Sequence, residues 1–476
     1  MIKRGLHTSG IVIYAALVLL LLLASCASYY DRNQELMRAV YTNNLESAQN
    51  ILEDDVKWEK KEKNVLLFYL NKGTVLWMAG KNKESNVYFQ KADLFVEDYN
   101  KKVGDAVLTM LVNANMSTYP GENFERIMLH YYGAINYLQL GDLDAALVEG
   151  KRMLEKMQRI TDSYKSENKY KRDAFAHNLL GMIYDARHEY NDAFIAYKNA
   201  YEVYKEDYLP QLQTPIPHQL KLDLLRTAYL TGFYDEVRFF EKEFNFSYVK
   251  PEGSGKNKSE VLVLWNNGLG PVKDQLSITI SIIPYGNGWV QFINHEMGIS
   301  IPFFVGDQDQ KDLLDMRFFR LALPKYVSRL PYYESAKVKV KGQEHAFSLA
   351  QDINAIAYKS LQDRMLKELS VGLLRVALKQ LAAYKLRQNK DTQGAAFAAS
   401  IYSVASEQAD TRNWQLLPYS ISYTRISLDS GDQKIDFEAY HATDKKVNKE
   451  IAFRLKQRET KFITLQTPEF SGYSQR

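Results

Sequence analysis

Residues 174–205 read AFAHNLLGMIYDARHEYNDAFIAYKNAYEVYK, and the spacing inside this stretch decides the fold of the first half of the chain. Leu180 and Gly181 are followed by Tyr184, Tyr190 opens a second segment, and Ala193, Tyr197 and Ala200 stand at i, i+4 and i+7. That spacing lines one face of a helix. Gly181 has no side chain, so two helices of one hairpin can approach closely there, and Tyr184 is expected to fill the space beside it. Tyr197, a large ring between two alanines, makes a knob for the next hairpin to receive.

The stretch resembles the tetratricopeptide repeat, in which L-G-x₂-Y and a later A-x₃-F/Y recur in a unit of about 34 residues. Weaker copies surround it. Gly73, Leu76, Gly80, Phe89 and Ala92 form one, and Ala134, Tyr137, Gly141, Leu143 and Ala146 another. Leu225, Ala228, Gly232 and Tyr234 lead a later copy, while Ala39, Asn43, Leu45, Ala48 and Leu52 outline a degenerate first one. The turns between paired helices are expected at Asn43, Gly80, Gly141, His188 and Gly232. Their uneven spacing predicts about four or five hairpins with insertions, among them an extra helix around Val103 to Asn115 that Pro120 and Gly121 break. The 33 tyrosines of the chain find their explanation here, since Tyr184, Tyr190 and Tyr197 occupy packing positions of the repeat. Arrays of this kind bury a core by stacking and offer a long concave face to a peptide or helix. Tyr69, His130, Asn136, His177 and Asn178 lie on first helices and are the candidate partner-binding residues of that face.

Near Phe246 the pattern changes. Pro251 to Lys258 is polar and turn-rich and reads as a linker. Val261 to Trp265 is an unbroken apolar run, and Leu276 to Ile283 alternates apolar with Ser and Thr, the template of a half-buried strand. Further strands are expected at Trp289 to Ile293, Ile299 to Val305 and Ala336 to Val340, with a loop or edge between Pro324 and Pro331. Asp352 to Arg387 carries helical spacing, and the alanine-rich stretch Gln393 to Gln408 is a second helix to pack on it. Strands resume at Tyr419 to Leu428, Lys434 to Tyr440, Glu450 to Arg454 and Phe462 to Gln466. The late strands are expected to complete the antiparallel sheet begun at Val261, as a sandwich or small open barrel. The fold class is therefore α+β: a tetratricopeptide-like α-solenoid over 26–250, then a β-rich domain over 251–470 with an inserted helical pair (strands 260–345, helices 352–408, strands 419–466). Residues 471–476 form a tail.

Asn266 to Pro271 (NNGLGP) and Ala409 to Trp414 (ADTRNW) resemble motifs of a family of uncharacterised tetratricopeptide-like bacterial envelope lipoproteins. The resemblance implies architecture and compartment and carries no activity with it. The N-terminus agrees. Lys3 and Arg4 precede the charge-free run Ile11 to Leu23, and Leu23-Ala24-Ser25-Cys26 resembles a lipobox. By that resemblance residues 1–25 are a signal peptide and Cys26, the only cysteine, is the lipidation site. The run falls short of the ~20 residues that a spanning helix needs. Ala27 and Ser28 replace the inner-membrane retention aspartate, which points to the periplasmic face of the outer membrane.

Much chemistry is missing from the sequence. A lipidated Cys26 leaves no thiol for catalysis, for a disulfide or for a thiolate metal site. The eight histidines share no helix face at i, i+3 or i+4, and His295-Glu296 lacks the second histidine of a zinc motif. Gly268-Leu269-Gly270 runs into Pro271 and makes a poor phosphate cradle. Asp307 to Asp312 alternates acids without the central glycine of a calcium loop. No cofactor, metal or catalytic residue is expected, and a formal net charge of +4 without a basic tract excludes nucleic acid as a partner class. Arg412 and Trp414 admit two roles. Both residue types are enriched at binding hot spots, but Trp414 also suits the core, with Arg412 paired to Asp410. The reading is an anchored adaptor that binds envelope proteins or peptides in envelope assembly or peptidoglycan metabolism, with peptidoglycan as a further partner. The alternative is a glycan-binding or glycan-processing protein in which Trp265, Trp289 or Trp414 stacks on sugars.

Overall fold

The computed structural model describes residues 33–53, 62–102, 117–162, 170–249, 258–314, 317–388, 408–441 and 446–469. Cys26, the helix expected at Val103 to Asn115, the linker before Lys258, most of the alanine-rich helix and the C-terminal tail lie outside the described residues.

Helical hairpins come first. Helix α1 (33–41) precedes α2 (Leu45–Glu53), and α3 (Val65–Met78) packs on α4 (Asn82–Lys102). Next come α5 (Asn123–Leu140) with α6 (Leu143–Asp162), α7 (Ala174–Ala186) with α8 (Tyr190–Val203), and α9 (His218–Thr231) with α10 (Tyr234–Phe244). The turn residues are those expected from the sequence, and each is left-handed: φ is 54° at Asn43, 74° at Gly80, 78° at Gly141, 64° at His188 and 84° at Gly232. Each closes its first helix with the same pair of bonds. Gly80 N donates to Trp77 O at 2.9 Å and Lys81 N to Leu76 O at 2.9 Å, and the other four turns repeat this pairing. This double bond caps the last free carbonyls of a helix.

Glycines inside the first helices set how closely each pair packs. A Cβ on Gly181 would lie 2.5 Å from the Tyr197 ring, and one on Gly73 would lie 2.8 Å from Phe89. The ring that fills the space at Gly181 is thus Tyr197 of the paired helix, correcting the expectation for Tyr184. Tyr184 is only partly buried and lies under the Lys151 ammonium, 5.8 Å from its ring centre. Tyr197 is a knob for its own hairpin rather than for the next one.

The second half forms three four-stranded sheets. Strands β1 (Lys258–Asn267), β2 (Val272–Gly286), β3 (Trp289–Asn294) and β4 (Ile299–Phe304) precede helix α11 (Asp307–Leu314). Then follow β5 (Phe318–Val327), β6 (Ser335–Val340), β7 (Gln343–Ala346), β8 (Ser348–Asp352) and the long helix α12 (Ile353–Gln388). Strands β9 (Ser420–Asp429), β10 (Gly431–Tyr440), β11 (Lys446–Leu455) and β12 (Thr460–Thr467) complete the domain. The sheet orders are β12-β1-β9-β8, β11-β10-β6-β7 and β4-β3-β2-β5.

The late strands do complete the sheet begun at Val261, since β9 and β12 flank β1. The expectation of purely antiparallel pairing fails at β12, which runs parallel to β1. β12 reaches β1 after the whole domain has intervened, and only neighbours joined by a hairpin are forced to be antiparallel. The first two sheets face each other around Val261, Val263, Trp265, Val338, Ile435 and Phe437. The third stands apart from this sandwich and packs Ile280, Phe292 and Leu321 against Leu369 and Leu373 of α12. Pro324 lies in β5 opposite Gln275, on an edge strand, where a missing N–H costs no ladder bond. The acid-rich stretch from Asp307 forms α11, which leaves no calcium-loop geometry there.

Candidate functional site: an inner face closed by the sheet

The first helices of the hairpins turn one face toward the β12-β1-β9-β8 sheet. Leu262 and Leu264 of β1 belong to the core of the repeats, while Val261, Val263 and Trp265 belong to the core between the sheets. The unbroken run at Val261 is explained by this: both faces of β1 are covered.

Polar anchors reinforce the seam at three places. At one end Trp414 is buried with its ring centre 5.4 Å from that of Tyr132, and its indole N–H donates to Thr74 Oγ1 at 3.1 Å. Its backbone N–H donates to Glu125 Oε1 at 2.7 Å. Arg412 donates to the carbonyls of Lys63 and Ser117, at 2.9 and 3.0 Å, and to Asp410 through two nitrogens at 2.8 and 2.7 Å. The two sequence motifs meet here: Asn413 Nδ2 donates to Pro271 O at 2.9 Å, and Lys273 N donates to Asn413 Oδ1 at 3.1 Å. Gly268, at φ 63°, has no room for a side chain, because a Cβ would lie 2.9 Å from Pro331.

Beside this end, Glu122 at the start of α5 accepts from Lys273 of β2 and from Arg364 of α12. Burial raises its carboxyl, but the two cations outweigh that and hold it at about 2. Glu125 beside it is pushed up, first by burial and then by the charge of Glu122.

At the far end Arg425 of β9 enters the repeats. Its Nε donates to Asp223 Oδ1 at 2.7 Å, its Nη2 lies 2.7 Å from Asp185 Oδ2, and the same nitrogen donates to Tyr197 OH at 3.0 Å. Arg226 and Glu260 complete the cluster. Burial raises the Asp185 carboxyl, yet Arg226 and Arg425 bring it below its ordinary value. Nearby, Tyr423 OH donates to Asp223 Oδ2 at 3.2 Å and to Asn178 Oδ1 at 3.4 Å. Toward the Trp414 end, Tyr131 OH donates to Asn266 Oδ1 at 2.9 Å.

The expected partner-binding residues therefore separate into two groups. Asn178, Arg412 and Trp414 lie in the seam, where the chain's own contacts engage them. The others sit away from these anchors. His130 is buried between hairpins, with Nδ1 2.6 Å from Glu149 Oε2 and Nε2 3.5 Å from Asp93 Oδ1. Asn136 is buried against Ser85 Oγ and Asn86 Oδ1 at 2.9 and 2.8 Å. Tyr69 packs near Tyr88, ring centres 6.4 Å apart. His177 is partly buried, and burial followed by the Arg172 charge brings its imidazole down to about 4. Sequence reasoning missed Glu122, Lys273 and Arg425. Arg425 carried a legible sign, as a lone cation inside the otherwise uncharged strand Tyr419 to Leu428.

Among the described residues no group of three or more His, Cys, Asp or Glu side chains could hold a metal ion. No helix among them is long and apolar enough to cross a membrane. The fold defines a helical-repeat array of tetratricopeptide-like hairpins joined to a sheet-rich domain. No protein-family model matches the chain, and no curated protein matches it. Among solved structures it is similar to the TPR-like repeats of a putative kinesin light chain of Podosopora anserina, at 12% identity and a TM-score of 0.31, over 45% of this chain and 92% of that one. It is also similar to a tetratricopeptide repeat protein of Parabacteroides merdae, at 14% identity and a TM-score of 0.21, over 47% of this chain and 82% of that one. At these scores the likeness carries no functional argument, and the assignment of the hairpins rests on their own geometry.

Proposed function

We propose that the chain is a periplasmic lipoprotein, anchored in the outer membrane through lipid on Cys26, that acts as a protein-interaction adaptor in envelope assembly or peptidoglycan metabolism. The lipobox-like stretch before Cys26 supports the anchor. The observation that carries the adaptor reading is a periodic row on the outer side of the array. Val87, Val148, Ile195 and Phe239 each stand seven residues after their hairpin's turn residue, and each is half-exposed. The seam with the sheet occupies the inner face, so partners are assigned to this outer row. Photo-crosslinking residues placed at Ile195 and Phe239 in the native organism should capture defined envelope proteins. The same chemistry at Asn178 should yield only products within the chain. Capture of partners from Asn178 alone would refute the outer-face assignment, and palmitate labelling that survives Cys26→Ser would refute the anchor.

A further inference from the structure

The third sheet carries exposed rings that neither the seam nor the adaptor reading uses. Trp77, Trp265 and Trp414 are 5%, 4% and 1% exposed, whereas Trp289 is 41% exposed. Trp289 of β3 lies directly opposite Phe304 of β4, with ring centres 5.2 Å apart and planes at 57°. Phe304 is 58% exposed and Phe318 of β5 is 62% exposed. Phe318 pairs with Ser281, which puts both on the same outer face. Gln310 Nε2 donates to the Trp289 carbonyl at 2.7 Å and steadies the strand that carries the ring.

We propose that this outer face is a binding site for an uncharged glycan strand of N-acetylated sugars, with Trp289 and Phe304 as its stacking platform. The proposal goes beyond the adaptor reading and does not depend on it. The choice of occupant follows from what lies along the strands that carry the rings. From Phe318 the exposed hydroxyls of Ser281, Thr279 and Ser277 run along β2 away from Trp289, the exposed Ile283 stands on β2 between Ser281 and Trp289, and Gln291 Nε2 donates to Ser300 Oγ at 2.6 Å across β3 and β4. Each hydroxyl is both donor and acceptor, and the amide supplies both as well. A sugar presents the complementary surface: a C–H face that lies on the negative face of an aromatic ring, with hydroxyls and an acetamido group around its edge. A purely apolar protein surface would cover these hydroxyls without pairing them, which is costly. A nucleic acid would need a row of cations, and the exposed cation on these outward positions is Arg320.

The test uses the full-length chain in detergent. It is incubated with purified sacculi, with soluble N-acetylglucosamine oligosaccharides, and with zwitterionic or anionic lipid vesicles. The chain should sediment with sacculi, and oligosaccharide should shield Trp289 fluorescence from acrylamide quenching. The Trp289→Ala, Phe304→Ala double variant should bind about tenfold more weakly or worse, with an unchanged melting temperature, and Trp289→Phe should recover part of the loss. Should the double variant fail to fold, shielding of Trp289 in a Trp58→Phe chain decides the matter alone. Absence of binding to sacculi and oligosaccharides overturns the proposal, as does sacculus binding unchanged in a folded double variant. Vesicles that displace the oligosaccharide would make the face a lipid surface. Protein crosslinks lost from the double variant while sacculus binding persists would make it a protein-docking face. Either result overturns the glycan assignment and leaves the outer-row adaptor to its own crosslinking test.

Discussion

Strands β1 and β2 are consecutive in the chain and joined by a short turn, yet they live in different surroundings. Val261 to Trp265 of β1 is buried throughout, whereas β2 buries Ile278, Ile280 and Ile282 and exposes Ser277, Thr279 and Ser281. The difference teaches how many layers cover each strand. An alternating strand has one dry face and one wet one. A strand without alternation needs cover on both sides, and for β1 the second cover is the helical array itself. The docking of repeats on sheet is therefore written in five residues of β1, although they name no partner.

The sharpest way to break this comparison is at Arg425. Replacing it with Ala leaves Asp185 and Asp223 buried with Arg226 as their remaining cation, 3.9 Å from Asp223 Oδ1, and removing one partner of a buried ion cluster costs about 3–5 kcal/mol. The loss should appear as a lower midpoint in urea unfolding. A shift no larger than that of a surface variant would show that the seam is not formed.

Gly181→Ala probes the hairpins beneath the seam. Its Cβ would press on the ring of Tyr197, whose hydroxyl accepts from Arg425, so overpacking should destabilise by about 1–3 kcal/mol. Gly80→Ala meets no neighbouring atom and strains only a left-handed φ, at about 1–2 kcal/mol. Equal effects on a seam-sensitive crosslink between 178 and 423 would refute the link from hairpin packing to docking.

Two of the shifted groups make opposite contributions to the pH dependence. Burial lowers the His130 imidazole, but hydrogen bonds to Asp93 and Glu149 outweigh it and leave it raised. A raised folded value means that its contribution is complete below the unfolded value of about 6.5 and is lost as pH rises through the folded one. His130→Gln should flatten that alkaline slope. Lys156 and Arg152 face the same carboxylates, with Lys156 Nζ 2.9 Å from Asp93 Oδ1 and Arg152 Nη1 3.1 Å from Glu149 Oε1, and should keep part of the cluster together. Glu122 works in the opposite direction: its contribution is present above the ordinary carboxylate range and disappears as pH falls toward 2. Urea midpoints measured from pH 3 to pH 9 would show both limbs, and an alkaline slope unchanged in the His130 variant would remove that assignment.

The smallest effect is expected on the open side of β2. Thr279→Ala touches no covered face and should stay within about 0.5 kcal/mol of the parent. A loss of several times that would mean that the outer face of the third sheet is covered in the native molecule.

Much of the helical half could be read in advance because its determinants are local. Asn43, Gly80, Gly141, His188 and Gly232 end helices through bonds that reach three and five residues back, so neighbouring residues suffice to place them. Many of the strands on either side of α12 were legible for a similar reason, since the period of apolar residues sets which side chains share a face, but β5, β7 and β8 were not expected. What the sequence left open was which surfaces meet. His130 and Asn136 sit on first helices, as their spacing requires, yet they face the helices packed on α5 because Glu149 of α6 and Asn86 of α4 are there to receive them. Arg412 and Trp414 could have served a partner. The structure turns them inward, where Lys63, Ser117 and Thr74 wait with acceptors, because an unpaired buried donor is costly and a paired one is not. The parallel pairing of β12, and the choice of the sheet to fill the inner face, were decided by tertiary packing alone. Both join residues far apart in the chain, 202 positions for Trp265 Nε1 and Thr467 Oγ1 at 2.9 Å and 245 for Asn178 and Tyr423, and no local pattern specifies which of several apolar surfaces will be buried against which.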